Sequence, residues 1–315
     1  MEITEAEIEN NVDLKLKKNV FDLGQFIGST PLFPLNRIYI KKNVQIYAKL
    51  EWYQMGGSVK SRPAYEIIKQ AILSGQLNKR KHLLDATSGN TGIAYATICA
   101  SLGIPVTLCL PKNASNSRKK MLAALGVNII CTSPFDNTDG AQIEAKRIYA
   151  EDPDRYFYAD QYSNDNNWKA HYYGTAGEIL KQTDNHITHF VSALGTTGTF
   201  TGIGKRFKEK QNIHLSSLQP DSILHGLEGW KHLETAIVPI FYDSTLADQN
   251  LEISTEESFQ LIKDVAQKEG LLISPSSAAN LVGAIQVAEQ IDEGLVVTIF
   301  PDNAEKYIEI IDELF

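Results

Sequence analysis

Short apolar runs alternate with helix-patterned segments along most of the chain. That alternation limits the available folds more than any other feature. VQIYAKLE (44–51) reads as a strand. RPAYEIIKQAILSG (62–75) reads as a helix, with apolar residues at helical spacing, proline at its start and glycine at its end. HLLDA (82–86), PVTLCLP (105–111) and NIICTS (128–133) read as further strands, with helices expected over 93–102, 116–126 and 139–152. A helix over 171–183, the strand HFVSAL (189–194), a helix from Phe200, helices over 255–269 and 280–292, the strand LVVTIF and a C-terminal helix complete the pattern. Strands separated by helices need crossover connections, so the expected fold class is α/β with mainly parallel sheets flanked by helices.

The 315 residues suit one large domain or two of ordinary size. A formal net charge of -8, with no block of Lys or Arg, argues against a nucleic-acid surface. The longest apolar runs, such as GLVVTIF (294–300), are strand-length, far short of the ~20 residues that span a bilayer. No membrane association is therefore expected. MEITEAEIENNVDLKLKK at the N-terminus has no apolar core of a signal peptide, so a cytoplasmic protein is expected. Cys99, Cys109 and Cys131 lack metal-ligand spacing and sit in apolar runs. They read as buried free thiols of a reducing compartment, and no metal is expected.

Parallel sheets bind ligands beyond the C-terminal ends of their strands. Three loops in that position are rich in glycine and hydroxyls: 87–92, 195–199 and 274–278. ALGTTGTFTGIG (193–204) joins a strand to a helix. Its glycines let backbone approach a ligand, and the helix start offers unpaired N–H groups to an anion such as phosphate. It matches neither the nucleotide P-loop nor the G-x-G-x-x-G pattern, and a tight turn that binds nothing would look similar. DATSGNTGIAYA (85–96) crowds Thr87, Ser88, Asn90 and Thr91 beside two glycines. One such residue suffices for an N-cap, so the surplus suggests a second anion or carboxylate site. LLISPSSAANL (271–281) places Ser276 and Ser277 before a helix, where capping alone would explain them. In MGGSVKSR (55–62), Lys60 precedes a helix start, where a cation opposes the helix dipole. Taken singly, Lys60 also suits a solvated surface. Taken together, a lysine, a phosphate cradle and a carboxylate loop on one α/β scaffold match the needs of pyridoxal phosphate. The Tyr/Asn-rich stretch 156–168 reads as a crossing between two lobes.

These segments resemble the cysteine synthase (O-acetylserine sulfhydrylase) family, in the β-family or fold-type II group of pyridoxal-phosphate enzymes. IGSTPLFPLNRI (27–38), KLEWYQMGGSVKSRPA (49–64), TSGNTGIAYA (87–96) and GTTGTFTGIGKRFKE (195–209) match in order. Weaker matches run through DQYSNDNN (160–167), GLLISPSSAA (270–279) and PDNAEKYI (301–308), so the likeness covers about residues 20–310. Threonine in the middle of GTTGT is closer to the B-type enzymes than to the A-type. The resemblance implies a two-domain, tryptophan synthase β-like fold. A smaller mobile carboxylate-binding domain is expected over 48–158, and a larger cofactor domain over 14–47 and 159–315.

The same resemblance implies roles residue by residue. Lys60 would be the Schiff-base lysine and the acid–base that moves the substrate α-proton. Asn90 would bond the cofactor's ring hydroxyl. Gly195, Thr196, Thr197, Gly198 and Thr199 would form the phosphate cup, and Ser276 would face the pyridine nitrogen. Thr87, Ser88, Asn90, Thr91 and Gln161 would hold the substrate. The implied reaction replaces the β-substituent of O-acetyl-L-serine or O-phospho-L-serine by sulfide or thiosulfate, through an α-aminoacrylate, to give L-cysteine. A homodimer is implied as well. Sister activities fit the same pattern less closely: a cystathionine β-synthase-like enzyme using homocysteine, or a serine/threonine dehydratase-type lyase or racemase. A non-catalytic binding member fits least. The chain departs from the family at Ser61, where aspartate is usual, and at Ala278, where glycine is usual. PDNA stands for the common PDSG, and Glu228 and Gly229 stand where B-type enzymes often carry two arginines. Lys231, His225 and His232 are then candidates to contact an anionic sulfur donor or leaving group, against a bland reading as surface residues of a loop.

Overall fold

The computed structural model describes residues 5–87, 89–210 and 212–314, with backbone alone for residues 5–12, 137, 210 and 313. It divides into two compact units. One takes Ala64–Asn166 together with the chain up to Ile27; the other takes Gly28–Pro63 and the chain from Asn167 onward. Among the described residues no helix is long and apolar enough to cross a membrane.

The first unit is built on a four-stranded, all-parallel sheet in the order β5-β4-β3-β6. Its strands are β3 (His82–Ala86), β4 (Val106–Pro111), β5 (Asn128–Thr132) and β6 (Tyr156–Tyr158). Every residue of β4 is buried, as a central parallel strand covered on both faces requires. The helices are α1 (Glu5–Leu23), α3 (Asn90–Leu102), α4 (Asn116–Ala124), α5 (Asn137–Glu151) and most of α2 (Ser61–Leu73). Leu16 and Val20 of α1 pack with Ile67, Ile68 and Ile72 of α2 and with Ile98 of α3 in one apolar cluster. Each such side chain contributes about 1.5–3 kcal/mol by leaving water. Helix α3 stops at Gly103, whose left-handed φ of 69° turns its N–H back to Cys99 and Ala100. Cys99 and Cys109 are buried free thiols, but Cys131 is exposed. It lies on β5, an edge strand with an open face, so an apolar run there did not mean burial.

The second unit carries a six-stranded sheet ordered β1-β2-β10-β7-β8-β9, parallel except for the antiparallel edge pair β1/β2. Its strands are β1 (Leu32–Pro34), β2 (Val44–Leu50), β7 (His189–Ala193), β8 (His214–Pro220), β9 (Gln249–Ile253) and β10 (Gly294–Phe300). Strand β2 pairs with β10 along its full length, from Val44↔Gly294 to Leu50↔Phe300. The segment leading into Lys60 therefore belongs with this sheet rather than with the four-stranded one. The remaining helices are α6 (Asn166–Ala170), α7 (Ala176–Gln182), α8 (Gly198–Lys210), α9 (Thr255–Glu269), α10 (Pro275–Glu289) and α11 (Ile308–Leu314). A π-helical turn, His171–Thr175, joins α6 to α7. Helix α10 is buried along most of its length and starts at Pro275, five residues before the expected 280. Its cap is Ser274, whose hydroxyl accepts from Ser277 N.

Candidate active site

Lys60 sits in the turn between β2 and α2, one residue before the helix begins. The turn needs glycine, since Gly56 and Gly57 have φ of 86° and 63°. It is strapped to the end of β10: Val59 N donates to Pro301 O at 2.8 Å and Glu51 N to Phe300 O at 3.0 Å. Lys306 adds a clamp, its Nζ donating to Gly57 O at 2.8 Å. Lys60 keeps some solvent exposure, yet burial of its amine dominates and pushes its pKa down to about 8. The charge of Asp302 opposes that shift without cancelling it. Asp302 is itself buried, accepts from Tyr307 OH at 3.0 Å, and offers its carbonyl to Ser277 Oγ at 2.8 Å. Ser276, beside it on α10, is buried with its hydroxyl 3.1 Å from Ser274 Oγ. Asp302 thus links the lysine turn to the serine-rich start of α10.

The loop Gly195–Thr199 joins β7 to α8. Thr197 holds φ at 63°, a left-handed conformation that costs a β-branched residue about 1–2 kcal/mol. Its Oγ1 is buried and has no partner among the described residues. Among the described residues none of the backbone N–H groups from Gly195 to Thr199 donates to a protein acceptor. A strained loop with unpaired donors at a helix start is a ready anion cradle. Side chains are excluded where the backbone is tightest: a Cβ on Gly195 would lie 2.1 Å from Gly229 O, and one on Gly198 2.1 Å from Asn167 Oδ1. The HGLEGWKHL segment therefore lies against this loop, and Lys231 N donates to Leu194 O at 2.8 Å. The Lys231 amine donates to Ile237 O at 3.1 Å, His232 bonds Thr235, and burial lowers the pKa of His225.

The segments on either side of the Lys60 turn enter a buried ion network that the sequence reading missed. Arg62 Nε donates to Glu51 Oε2 at 2.6 Å, and its two terminal nitrogens reach Glu178, Glu51 and Thr30. Lys49 Nζ meets Glu178 Oε2 at 2.7 Å and Thr30 O at 2.5 Å. Burial pushes Glu178 up, but Arg62 and Lys49 more than reverse this and hold it down at about 2. Burial lowers Lys49, against the pull of Glu178 and Glu51. The signal for this network was present: Lys49 stands among apolar residues at the end of β2, Glu51 follows that strand directly, and Arg62 comes within the same motif.

In the first unit, Thr87, Asn90, Thr91 and Gln161 gather at the C-terminal end of β3, while Ser88 lies outside the described residues. Gly89 N donates to Thr87 Oγ1 at 3.2 Å, and Thr91 Oγ1 to Gln161 Oε1 at 2.8 Å. Gln161 Nε2 donates to Ala86 O at 2.7 Å, so both ends of its amide are engaged by protein. Asp85, also missed, underlies them. It is fully buried and accepts from Ala86 N at 2.8 Å and Gln161 N at 3.3 Å. Burial raises its pKa to about 7, against the lowering effect of those N–H bonds.

The comparisons with known proteins agree with this geometry. A model of the family "Pyridoxal-phosphate dependent enzyme" matches residues 23–302. A cysteine synthase of Aquifex aeolicus is 41% identical over 292 residues, covering 90% of this chain and 89% of that protein. Cysteine synthase B of Escherichia coli is 34% identical over 289 residues, covering 91% and 94%. The crystal structure of a cysteine synthase from Entamoeba histolytica superposes with a TM-score of 0.85 at 30% identity, covering 93% and 94%. The chain belongs to the pyridoxal-phosphate dependent enzymes and, within them, to the cysteine synthase family. Its residues fit that cofactor: a phosphate suits the unpaired N–H groups of Gly195–Thr199, and an aldehyde suits an amine with a pKa of about 8.

Proposed function

We propose that the protein is a cysteine synthase that replaces the β-substituent of O-acetyl-L-serine, or O-phospho-L-serine, by sulfide or thiosulfate to release L-cysteine, a transferase reaction. The Lys60 turn carries this reading: a buried amine titrating near 8, beside Asp302 and on the same unit as an anion cradle. The identity of 41% to a cysteine synthase supports the choice of substrates. Bound pyridoxal phosphate supplies an electron sink for the electrons freed at the substrate α-carbon. Lys60, with its lowered pKa, takes the α-proton and returns it near neutral pH. The Gly195–Thr199 loop holds the phosphate through backbone N–H groups and threonine hydroxyls. Ser276 would bond the pyridine nitrogen, and a neutral hydroxyl there, unlike an aspartate, would not hold that nitrogen charged. Asn90 bonds the ring hydroxyl. Thr87, Ser88, Thr91 and Gln161 take the substrate carboxylate, and Gln161 must give up its bond to Thr91 or to Ala86 to do so.

A homodimer working in the cytoplasm belongs to the same proposal, on the family's pattern, and sedimentation velocity checks the stoichiometry. The activity is tested by incubating the purified protein with O-acetyl-L-serine, O-phospho-L-serine or L-serine, each with sulfide, thiosulfate or homocysteine, and identifying the product. L-cysteine from an activated serine is expected, and Lys60→Ala should abolish it. Turnover of L-serine with homocysteine alone would overturn the proposal.

A further inference from the structure

Behind the Gly195–Thr199 loop lies a fully buried histidine that the proposed reaction does not use. His171 is 1% exposed and opens the π-helical turn, in which Ala176 N donates to His171 O. Such turns insert one extra residue and redirect a side chain. Here the redirection is made possible by close packing against α8. A Cβ on Gly202 would lie 2.1 Å from Trp168 O and 2.8 Å from His171 Cβ, and Gly198 meets Asn167 one turn earlier. The imidazole reaches two threonines as a result. Its Nδ1 is 2.9 Å from Thr175 Oγ1, and its Nε2 is 3.3 Å from Thr199 Oγ1 in the loop. Asn167 Nδ2 supports the same loop by donating to Thr196 Oγ1 at 3.2 Å.

Burial holds the His171 pKa well below its ordinary value, and the charges of Arg62 and Lys60 push the same way. The ring is therefore neutral and carries one N–H. Which nitrogen carries it follows from the partners. Thr175 is completely buried, and its hydroxyl has only Nδ1 as a partner among the described residues. If Nδ1 donated, the Thr175 proton would be stranded away from water, which is costlier than an unused lone pair. Thr175 therefore donates to Nδ1, and the single ring proton sits on Nε2, pointing at Thr199 Oγ1. With that oxygen accepting, the Thr199 proton is directed elsewhere.

We propose that His171 is a positioning residue: its Nε2–H donates to Thr199 and so turns the Thr199 hydroxyl into a donor toward the anion held by the 195–199 loop. The relay runs from Thr175 O–H through the imidazole to Thr199 O–H and ends on the phosphate. It rests on the phosphate role proposed for that loop. The opposite tautomer would aim a Thr199 lone pair at the same anion.

The test uses the full-length protein with pyridoxal phosphate as the probe and pyridoxal, which lacks the phosphate, as the control. Nitrogen-15 spectra of labelled histidine should show His171 as the Nε2–H tautomer. Thr199→Val and His171→Leu should each weaken pyridoxal phosphate binding by about tenfold, the loss of one charge-assisted bond. The double variant should lose little more, and pyridoxal binding should not change. His171→Gln keeps a donor near the Nε2 position and should recover most of the affinity. An Nδ1–H tautomer overturns the relay, and that spectrum needs no variant to fold. Fully additive losses, or failure of His171→Gln to recover affinity while His171→Leu folds normally, also overturn it. A Thr199→Val variant that binds pyridoxal phosphate as wild type also overturns the relay, whereas a wild type that binds pyridoxal as tightly as pyridoxal phosphate instead refutes the phosphate role of the loop.

Discussion

Replacing Lys60 by methionine in the cofactor-free protein tests whether its amine is held where charge is disfavoured. The ordinary value for the side chain is 10.5, and in the folded chain it is about 8. The gap, 10.5 − 8 = 2.5, corresponds to about 3 kcal/mol at 1.36 kcal/mol per pH unit, and residual contact of the side chain with water makes that an upper value. Between those two pH values the unfolded chain binds a proton that the folded chain does not, so this group makes stability rise with pH. Its cost is fully present below pH 8 and gone above 10.5. Lys60→Met keeps the length of the side chain and removes the charge. Urea unfolding of both proteins, followed from about pH 7 to about pH 11, should find the variant more stable at the low end by up to about 3 kcal/mol, with the difference closing as pH rises. Subtracting one curve from the other cancels Cys99 and Tyr95, which titrate in both proteins. A difference that stays constant across that range, or a wild type more stable at pH 7, would refute the reasoning.

Gly195→Ala places a Cβ 2.1 Å from the Gly229 carbonyl, so one of the two backbones must move; pyridoxal phosphate affinity by titration should fall about tenfold or more while far-UV circular dichroism is unchanged. Asp85 holds its proton up to about 7 in the folded chain against 3.8 in the ordinary case, so the wild type should lose stability as pH rises through that window. Asp85→Asn should lack that loss in urea titrations at a series of pH values. Ser61→Asp adds a buried carboxylate next to an ion network that is already balanced, and urea midpoints at neutral pH should show a loss of about 3 kcal/mol; an unchanged midpoint would show that the position tolerates charge.

The parallel architecture was legible because its strands are apolar and its helices periodic. β4 and β10 are central, covered on both faces, and read as continuous apolar runs. β8 escaped notice because HLSSLQP puts two serines in a central strand. Both are buried, and they pair across to β9, Ser216 with Gln249 and Ser217 with Asn250. Their burial is supported by partners distant in sequence, which periodicity cannot reveal. β1 and β6 escaped for a plainer reason, since three residues each carry too few alternations, and β9 because QNLEI is mostly polar. The helix expected over 171–183 begins at Asn166 and contains a π turn, because contact with Gly198 and Gly202 of α8 overrides the local pattern. At the site, the loops were readable as loops because glycine and hydroxyls announce them. The groups that set their electrostatics were not. Asp85, Asp302, His171 and Glu178 act through burial and distant partners, and a charged letter in a sequence does not say whether water surrounds it.

Ser61 draws these threads together. As a sequence feature it was an unexplained gap beside the lysine, since the family's aspartate is expected there. In the structure Ser61 is fully buried, and its neighbour Arg62 has every nitrogen engaged by Glu51, Glu178 or Thr30. Two cations, Lys49 and Arg62, face two carboxylates, Glu51 and Glu178, so the cluster closes at zero charge. Lys60 meanwhile has its own counter-charge in Asp302. An aspartate at 61 would find no unmatched cation and would be driven toward protonation by its burial. Serine leaves one buried hydroxyl without a partner among the described residues, a far smaller penalty than an unpaired carboxylate. The departure is therefore consistent with the charges around it, and it leaves the Lys60 amine answering to Asp302 and to burial alone.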